Sequence, residues 1–173
     1  KIKVMYLSTN SIYSTFNTKL AKEEKNDCVV RSLATAASVT YDIAHKFCNE
    51  VFGRENKKGT SNLAITTQML KFDSGELSIG NNSVNVKVLG KSDIKNRYKV
   101  KGDIIWRQKT LKSFIADHPK GTFMVMVAKH ALTVKDGELL DWDSNKFLPT
   151  RKVQAAYKIT PKKVEGLQLN LFE

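Results

Sequence analysis

Apolar positions recur at helical spacing in the first part of the chain and alternate with polar ones in the second. Behind Asn26 or Asp27 as capping residue, Val30, Leu33, Ala34 and Ala37 repeat every three or four positions up to Ser38, which predicts a short buried helix beginning near Cys28. Thr40 can cap a second helix, in which Ala44, Phe47, Cys48 and Val51 form one stripe that Gly53 stops. His45 lies off that stripe and is expected at the surface. The polar, glycine-bounded run 53–60 predicts a loop, after which Ser61 or Asn62 can cap a third helix carrying Leu63, Ile65, Met69, Leu70 and Phe72. Past Gly75 the period becomes two. Leu77 and Ile79, a turn at Asn81-Asn82, and then Val84, Val86 and Val88 predict paired strands. Further strands are expected at 104–106, 123–128, 131–134, 139–142 and 153–159. A helix capped by Thr110, carrying Leu111, Phe114 and Ile115, is expected to end at His118-Pro119. Helices first and strands afterwards predict an α+β domain, N-terminal helices packed on an antiparallel sheet, with no internal repeat.

Length and composition add one core and a compartment. The chain has 173 residues, 41% of them hydrophobic, enough for one well-buried core and too few for two. A single domain over 1–166 is expected, with 167–173 as a C-terminal tail. Two cysteines, Cys28 and Cys48, do not make a disulfide framework, and no signal-like or long apolar run is present. A cytoplasmic protein with no membrane association is expected. Lysine in first place points to an initiator methionine trimmed or left out of the numbering.

The net charge of +12 is unevenly spread, with an excess of +3 over residues 1–86 and +9 over 87–173. Most of it lies between Lys87 and Lys112, where Lys95, Arg97, Lys99, Lys101, Arg107 and Lys109 surround Tyr98 and Trp106, opposed only by Asp93 and Asp103. Such a stripe can meet nucleic-acid phosphates or an acidic protein face; the alternative is a solvated edge that keeps the protein wet.

The candidate chemistry joins two distant segments. Cys28 stands at a helix start, where unpaired backbone N–H groups and a partial positive charge favour a thiolate, and His130 opens a strand segment that ends in Asp136-Gly137. Asp-Gly suits a two-residue hairpin turn and fixes a register, Lys135 opposite Glu138 and Val134 opposite Leu139. His130 then faces Asp143 directly and Asp141 diagonally, and either carboxylate can orient the imidazole. The alternatives are a small buried thiol and a satisfied strand histidine. Cys48 belongs to an apolar stripe and is expected in the core, His118 at a helix end. No Cys/His cluster has metal-ligand spacing, so neither metal nor cofactor is expected.

These residues carry a resemblance. A cysteine opening a buried helix, followed by a histidine and an Asn/Asp on adjacent strands, resembles the papain-like cysteine peptidases, in the order Cys28, His130, Asp141. Asp141-Trp142 is similar to a shortened form of their Asn-Ser-Trp segment, which favours Asp141 over Asp143. Segment 26–32 also resembles the Asp-Gly-Asn-Cys-Leu-Phe-Arg run of ovarian-tumour-type deubiquitinases. Together with His130 and 134–142, it is more closely similar to small bacteriophage-encoded proteins with peptidase-like folds. The resemblance implies a papain-like fold and a hydrolase that cleaves an amide or isopeptide bond of a protein substrate, a host factor in the bacterial cytoplasm. Papain relatives place an oxyanion-donating glutamine six residues before the cysteine. Lys22 stands there in this chain, so Asn26, or Lys22 itself, would have to join the Cys28 N–H.

A second resemblance lies at the chain end. Gln168, Leu169, Asn170, Leu171 and Phe172 are similar to the pentapeptide with which bacterial polymerases dock on the sliding clamp; the alternative is a closing strand, since Leu167, Leu169 and Leu171 alternate. The competing functional class is therefore an inactive papain-like interaction protein that binds DNA, the sliding clamp, or both.

Overall fold

The computed structural model describes residues 4–6, 16–141 and 149–162. The elements run β1 (Val4–Tyr6), α1 (Lys19–Glu23), α2 (Cys28–Ala37), α3 (Tyr41–Phe52), α4 (Asn62–Lys71), β2 (Gly75–Ile79), β3 (Asn82–Val88) and α5 (Lys91–Ile94). There follow β4 (Lys95–Val100), β5 (Asp103–Gln108), α6 (Leu111–Asp117), β6 (Thr122–Val127), β7 (His130–Lys135), β8 (Glu138–Asp141) and β9 (Val153–Pro161).

Hydroxyl caps start four of the helices, Thr18 accepting from the Ala21 amide at the start of α1. Thr40 accepts from the Ile43 amide, Ser61 from Ala64 and Thr110 from Ser113, each satisfying one amide that the first turn leaves unpaired. At the other end, Ser38 and Gly53 adopt left-handed φ values of 55° and 64° that break α2 and α3. The third helix is less buried than its pattern suggests. Ile65 and Met69 reach the core, but Leu63 and Leu70 are 76% and 55% exposed, because α4 presents only one narrow stripe to the rest of the fold. His45, expected outside, is buried for a reason given below.

Seven strands form one sheet in the order β1-β8-β7-β6-β9-β3-β2, antiparallel throughout except for β1 beside β8. With the helices this makes the chain α+β, the sheet departing from the expected antiparallel form only at that edge. The β2–β3 turn falls at Gly80-Asn81, one residue earlier than expected, since Ile79 pairs with Asn82. Gly80 takes φ +61°, and a Cβ there would lie 2.8 Å from the Ile43 side chain of α3, so the close packing of this hairpin on the helix decides the register.

Alternation along the strands divides the core in two. Met124, Met126, Ala131, Leu140 and Ile159 join the cluster built by α2, α3 and α4. Phe123, Val125, Leu132, Val134 and Leu139 pack instead with Leu111, Phe114 and Ile115 of α6. Helix α2 is therefore held against the centre of the sheet. Buried polar contacts fix its position: Ser32 Oγ donates to the Leu132 carbonyl at 2.7 Å, and Thr133 Oγ1 donates to the Ser32 carbonyl at 3.0 Å.

Candidate active site

The turn into α2 is built around Asp27. Asn26 adopts φ 53°, a left-handed conformation that Asn tolerates better than most residues, and so aims Asp27 inward. Asp27 occupies the capping position without capping the helix. Its carboxylate accepts from Arg31 Nε at 3.0 Å and from the Tyr41 hydroxyl at 2.7 Å. Burial and the adjacent Asp27 charge push the Tyr41 hydroxyl far above its ordinary range. Arg31 also donates to the Ala21 carbonyl and lies over the Phe16 and Tyr41 rings at 5.3 and 5.5 Å. The carboxylate is thus neutralised beside the helix, and among the described residues the first-turn amides at Cys28 and Val29 have no side-chain acceptor. Cys28, the first residue of α2, is half-buried.

His130 arrives on the opposite side through two successive hairpins. Val127 pairs with His130 across the two-residue turn Ala128-Lys129, in which Lys129 takes φ 57°, and Arg151 Nη2 donates to the Ala128 carbonyl. The second hairpin has the expected register, Lys135 opposite Glu138, Val134 opposite Leu139 and Thr133 opposite Leu140, with Asp136 and Gly137 at φ 48° and 80°. That register carries Asp141 to the diagonal position. His130 Nε2 lies 3.0 and 3.1 Å from the two carboxylate oxygens of Asp141, and both residues are buried. Asp143, the other candidate orienter, lies outside the described residues.

Burial by itself would lower the His130 pKa. Hydrogen bonds to Asp141 and to Cys28, together with the negative charge each can carry, overcome it and raise the imidazole from 6.5 to about 9. Cys28, His130 and Asp141 are therefore brought together. Cys28 and His130 line a pocket of about 450 Å³, together with Asn26, Thr60, Asn62 and Lys129, while Asp141 is buried behind the imidazole. Asn26 contributes from the rim with Nδ2 donating to the Lys57 carbonyl at 3.2 Å, so one of its two amide protons is tied to the 53–60 loop. Lys22 is exposed on α1 and does not line the pocket.

Several features escaped the sequence. Glu24, Arg54 and His45 form a cluster of buried side chains, with Glu24 Oε1 3.2 Å from His45 Nε2 and Glu24 Oε2 2.7 Å from Arg54 Nη2. The same Glu24 oxygen accepts from the Lys57 amide at 2.7 Å, which ties the segment before Cys28 to the loop after α3. This is why His45 is buried: its ring supplies a polar contact to a carboxylate that could not be left alone there. The Thr60 hydroxyl is buried in the pocket lining without a hydrogen-bond partner among the described residues. Cys48 is fully buried, and burial pushes its thiol up to about 12. His118 ends α6, as expected, stacked on Phe114.

The basic stripe divides into two parts. Lys95, Arg97, Tyr98, Lys99, Lys101, Trp106 and Arg107 belong to a separate two-stranded ribbon of β4 and β5, and none of them lines the pocket. Lys109 does not join them: it is 7% exposed and paired with Asp117 at 2.6 Å. Gln168, Leu169, Leu171 and Phe172 lie outside the described residues. Among the described residues no group of three or more His, Cys, Asp or Glu is placed to hold a metal, and no helix is long and apolar enough to cross a membrane.

No family model, curated protein or solved structure matches the chain.

Proposed function

We propose that the protein is a cysteine hydrolase of papain-like arrangement, with Cys28 as nucleophile, His130 as acid and base, and Asp141 as orienter. One observation carries the proposal. A thiol at a helix start and a buried carboxylate flank one imidazole and raise its pKa, and thiol and imidazole both line a substrate-sized pocket. An imidazolium next to Cys28 supplies the counter-charge for a thiolate, and the partial charge of the α2 N-terminus adds to it.

In the proposed reaction the Cys28 sulfur attacks the carbonyl carbon of an amide or isopeptide. Electron density moves onto the carbonyl oxygen, which the backbone N–H of Cys28 stabilises, with the remaining Asn26 amide proton as second donor. With Nε2 held by Asp141, His130 uses Nδ1 to give its proton to the leaving nitrogen as the C–N bond breaks. Water then attacks the thioester carbon while losing a proton to His130, and the acid product leaves as the thiolate is restored. From the resemblance to small phage-encoded proteins, we propose a protein of the bacterial host cell as substrate.

The test is alkylation by iodoacetamide at neutral pH, followed site by site by mass spectrometry. Fast modification at Cys28 that collapses in His130→Ala is expected. Ordinary thiol rates, or rates indifferent to His130, would overturn the proposal.

A further inference from the structure

The β4–β5 hairpin pairs with no strand of the seven-stranded sheet. Six residue pairs run from Lys95 opposite Gln108 to Val100 opposite Asp103, closed by Lys101 and Gly102 at φ 50° and 94°. At about 3.4 Å per residue the arm is roughly 20 Å long. Residues 95–108 carry five Lys or Arg against one acid, Asp103. Among the described residues none of those five has a carboxylate within 4.0 Å, whereas Lys109 at the base of the arm is buried against Asp117. Charge is thus neutralised where the arm joins the body and left open along it.

Strand alternation and the register then decide how the charge is displayed. Lys95, Arg97 and Lys99 share one face with Trp106 and Ile104, while Arg107 shares the other with Tyr98. Each ring already carries a cation, Lys91 over Trp106 at 4.6 Å and Arg107 over Tyr98 at 5.6 Å. These rings are poorly placed as stacking platforms for unpaired bases, which favours a duplex over a single strand. Near the tip, Val100 and Ile104 are 42% and 50% exposed, and a two-stranded ribbon with apolar side chains in water is only marginally stable alone.

We infer that the β4–β5 ribbon is a docking arm for duplex DNA, its Lys95-Arg97-Lys99 face set against the phosphates. The B-form major groove, about 12 Å wide, admits a two-stranded ribbon, whereas that of A-form RNA is too narrow. Ile104, on that same face near the tip, meets sugar and thymine-methyl surface there. This arm is independent of the hydrolase proposal, because none of its residues lines the pocket beside Cys28.

The experiment measures binding of the full chain to a 20-base-pair DNA duplex by fluorescence anisotropy across a salt series. With three to five phosphate contacts, raising salt from 50 to 200 mM weakens binding by roughly 40- to 500-fold. Arg97→Glu with Lys99→Glu is expected to lower affinity by at least about tenfold and the salt slope by about two. Lys71→Glu with Lys135→Glu removes equal charge from the exposed surface of the body and should change affinity far less. Melting temperatures check that the variants fold; Arg97→Gln with Lys99→Gln replaces the charge reversal if it does not. Equal losses in the two double variants would overturn the inference. So would absent or salt-insensitive binding, or equal or tighter binding to a single strand, duplex RNA or anionic phosphatidylserine vesicles.

Discussion

Thr133 on β7 holds Ser32 on α2 through its hydroxyl, which donates to the Ser32 carbonyl at 3.0 Å, while Ser32 Oγ donates to the Leu132 carbonyl of the same strand at 2.7 Å. Both residues are fully buried. The contact lies one helical turn beyond Cys28 and three strand positions beyond His130, so it sets the separation of thiol and imidazole. Thr133→Val keeps the shape and removes this hydrogen bond, leaving the Ser32 carbonyl without its partner on β7. Urea unfolding is expected to show a loss of about 1–3 kcal/mol, with slower alkylation of Cys28.

The two cysteines should react very differently. Cys48 is enclosed by the helical core, and its thiol is held up at about 12, so it is both inaccessible and protonated at neutral pH. Iodoacetamide is expected to modify Cys28 alone in the native protein and both residues in 8 M urea, as peptide mass spectrometry would report. Modification of native Cys48 at a comparable rate would contradict the packing of α3.

The raised His130 pKa has a definite consequence for stability. Between 6.5 and about 9 the folded chain binds the His130 proton more tightly than the unfolded chain. The contribution is complete below pH 6.5 and is lost as pH rises through 9. Asp141→Asn removes the chief opponent of burial, so His130 should titrate near or below 6.5 and the alkaline decline should flatten. Cys28→Ala is expected to lower the His130 titration by less. Histidine NMR titrations and denaturation across pH measure both.

The meeting of Cys28, His130 and Asp141 was legible because each rests on a strong local rule. Capping and 3.6-residue spacing placed Cys28 on the first turn of α2. The Asp136-Gly137 turn fixed the register that puts Asp141 diagonal to His130. What the pattern concealed depends on contacts between segments far apart in sequence. His45 read as exposed because its burial is enforced by Glu24 and Arg54, neither of which affects periodicity on α3. Asp27 read, like Asn26, as a candidate N-cap because its partner Tyr41 appears only when α2 and α3 pack together. Strand β4 was hidden within a charged run that alternates without burying either face, while Leu63 and Leu70, counted among the apolar residues of the third helix, stay exposed because α4 turns only Ile65 and Met69 into the core.

The Glu24 cluster supplies the acid-side counterpart. Burial alone would raise the Glu24 carboxyl; hydrogen bonds from Arg54, the Lys57 amide and His45, with the Arg54 charge, hold it at about 2 instead of 4.5. Its contribution is complete above pH 4.5 and is lost as pH falls toward 2, since the unfolded chain takes up the proton first. Glu24→Gln should therefore flatten the acid limb of the stability profile. Arg54→Ala should cost about 3–5 kcal/mol at neutral pH, because it strands a carboxylate whose side chain is buried. The loss should reach the pocket as well. Glu24 joins the segment carrying Asn26 to the loop carrying Thr60, so alkylation of Cys28 in Arg54→Ala is expected to slow even at temperatures where the variant stays folded. An unchanged rate at Cys28, alongside the expected drop in stability, would assign the cluster to the fold alone.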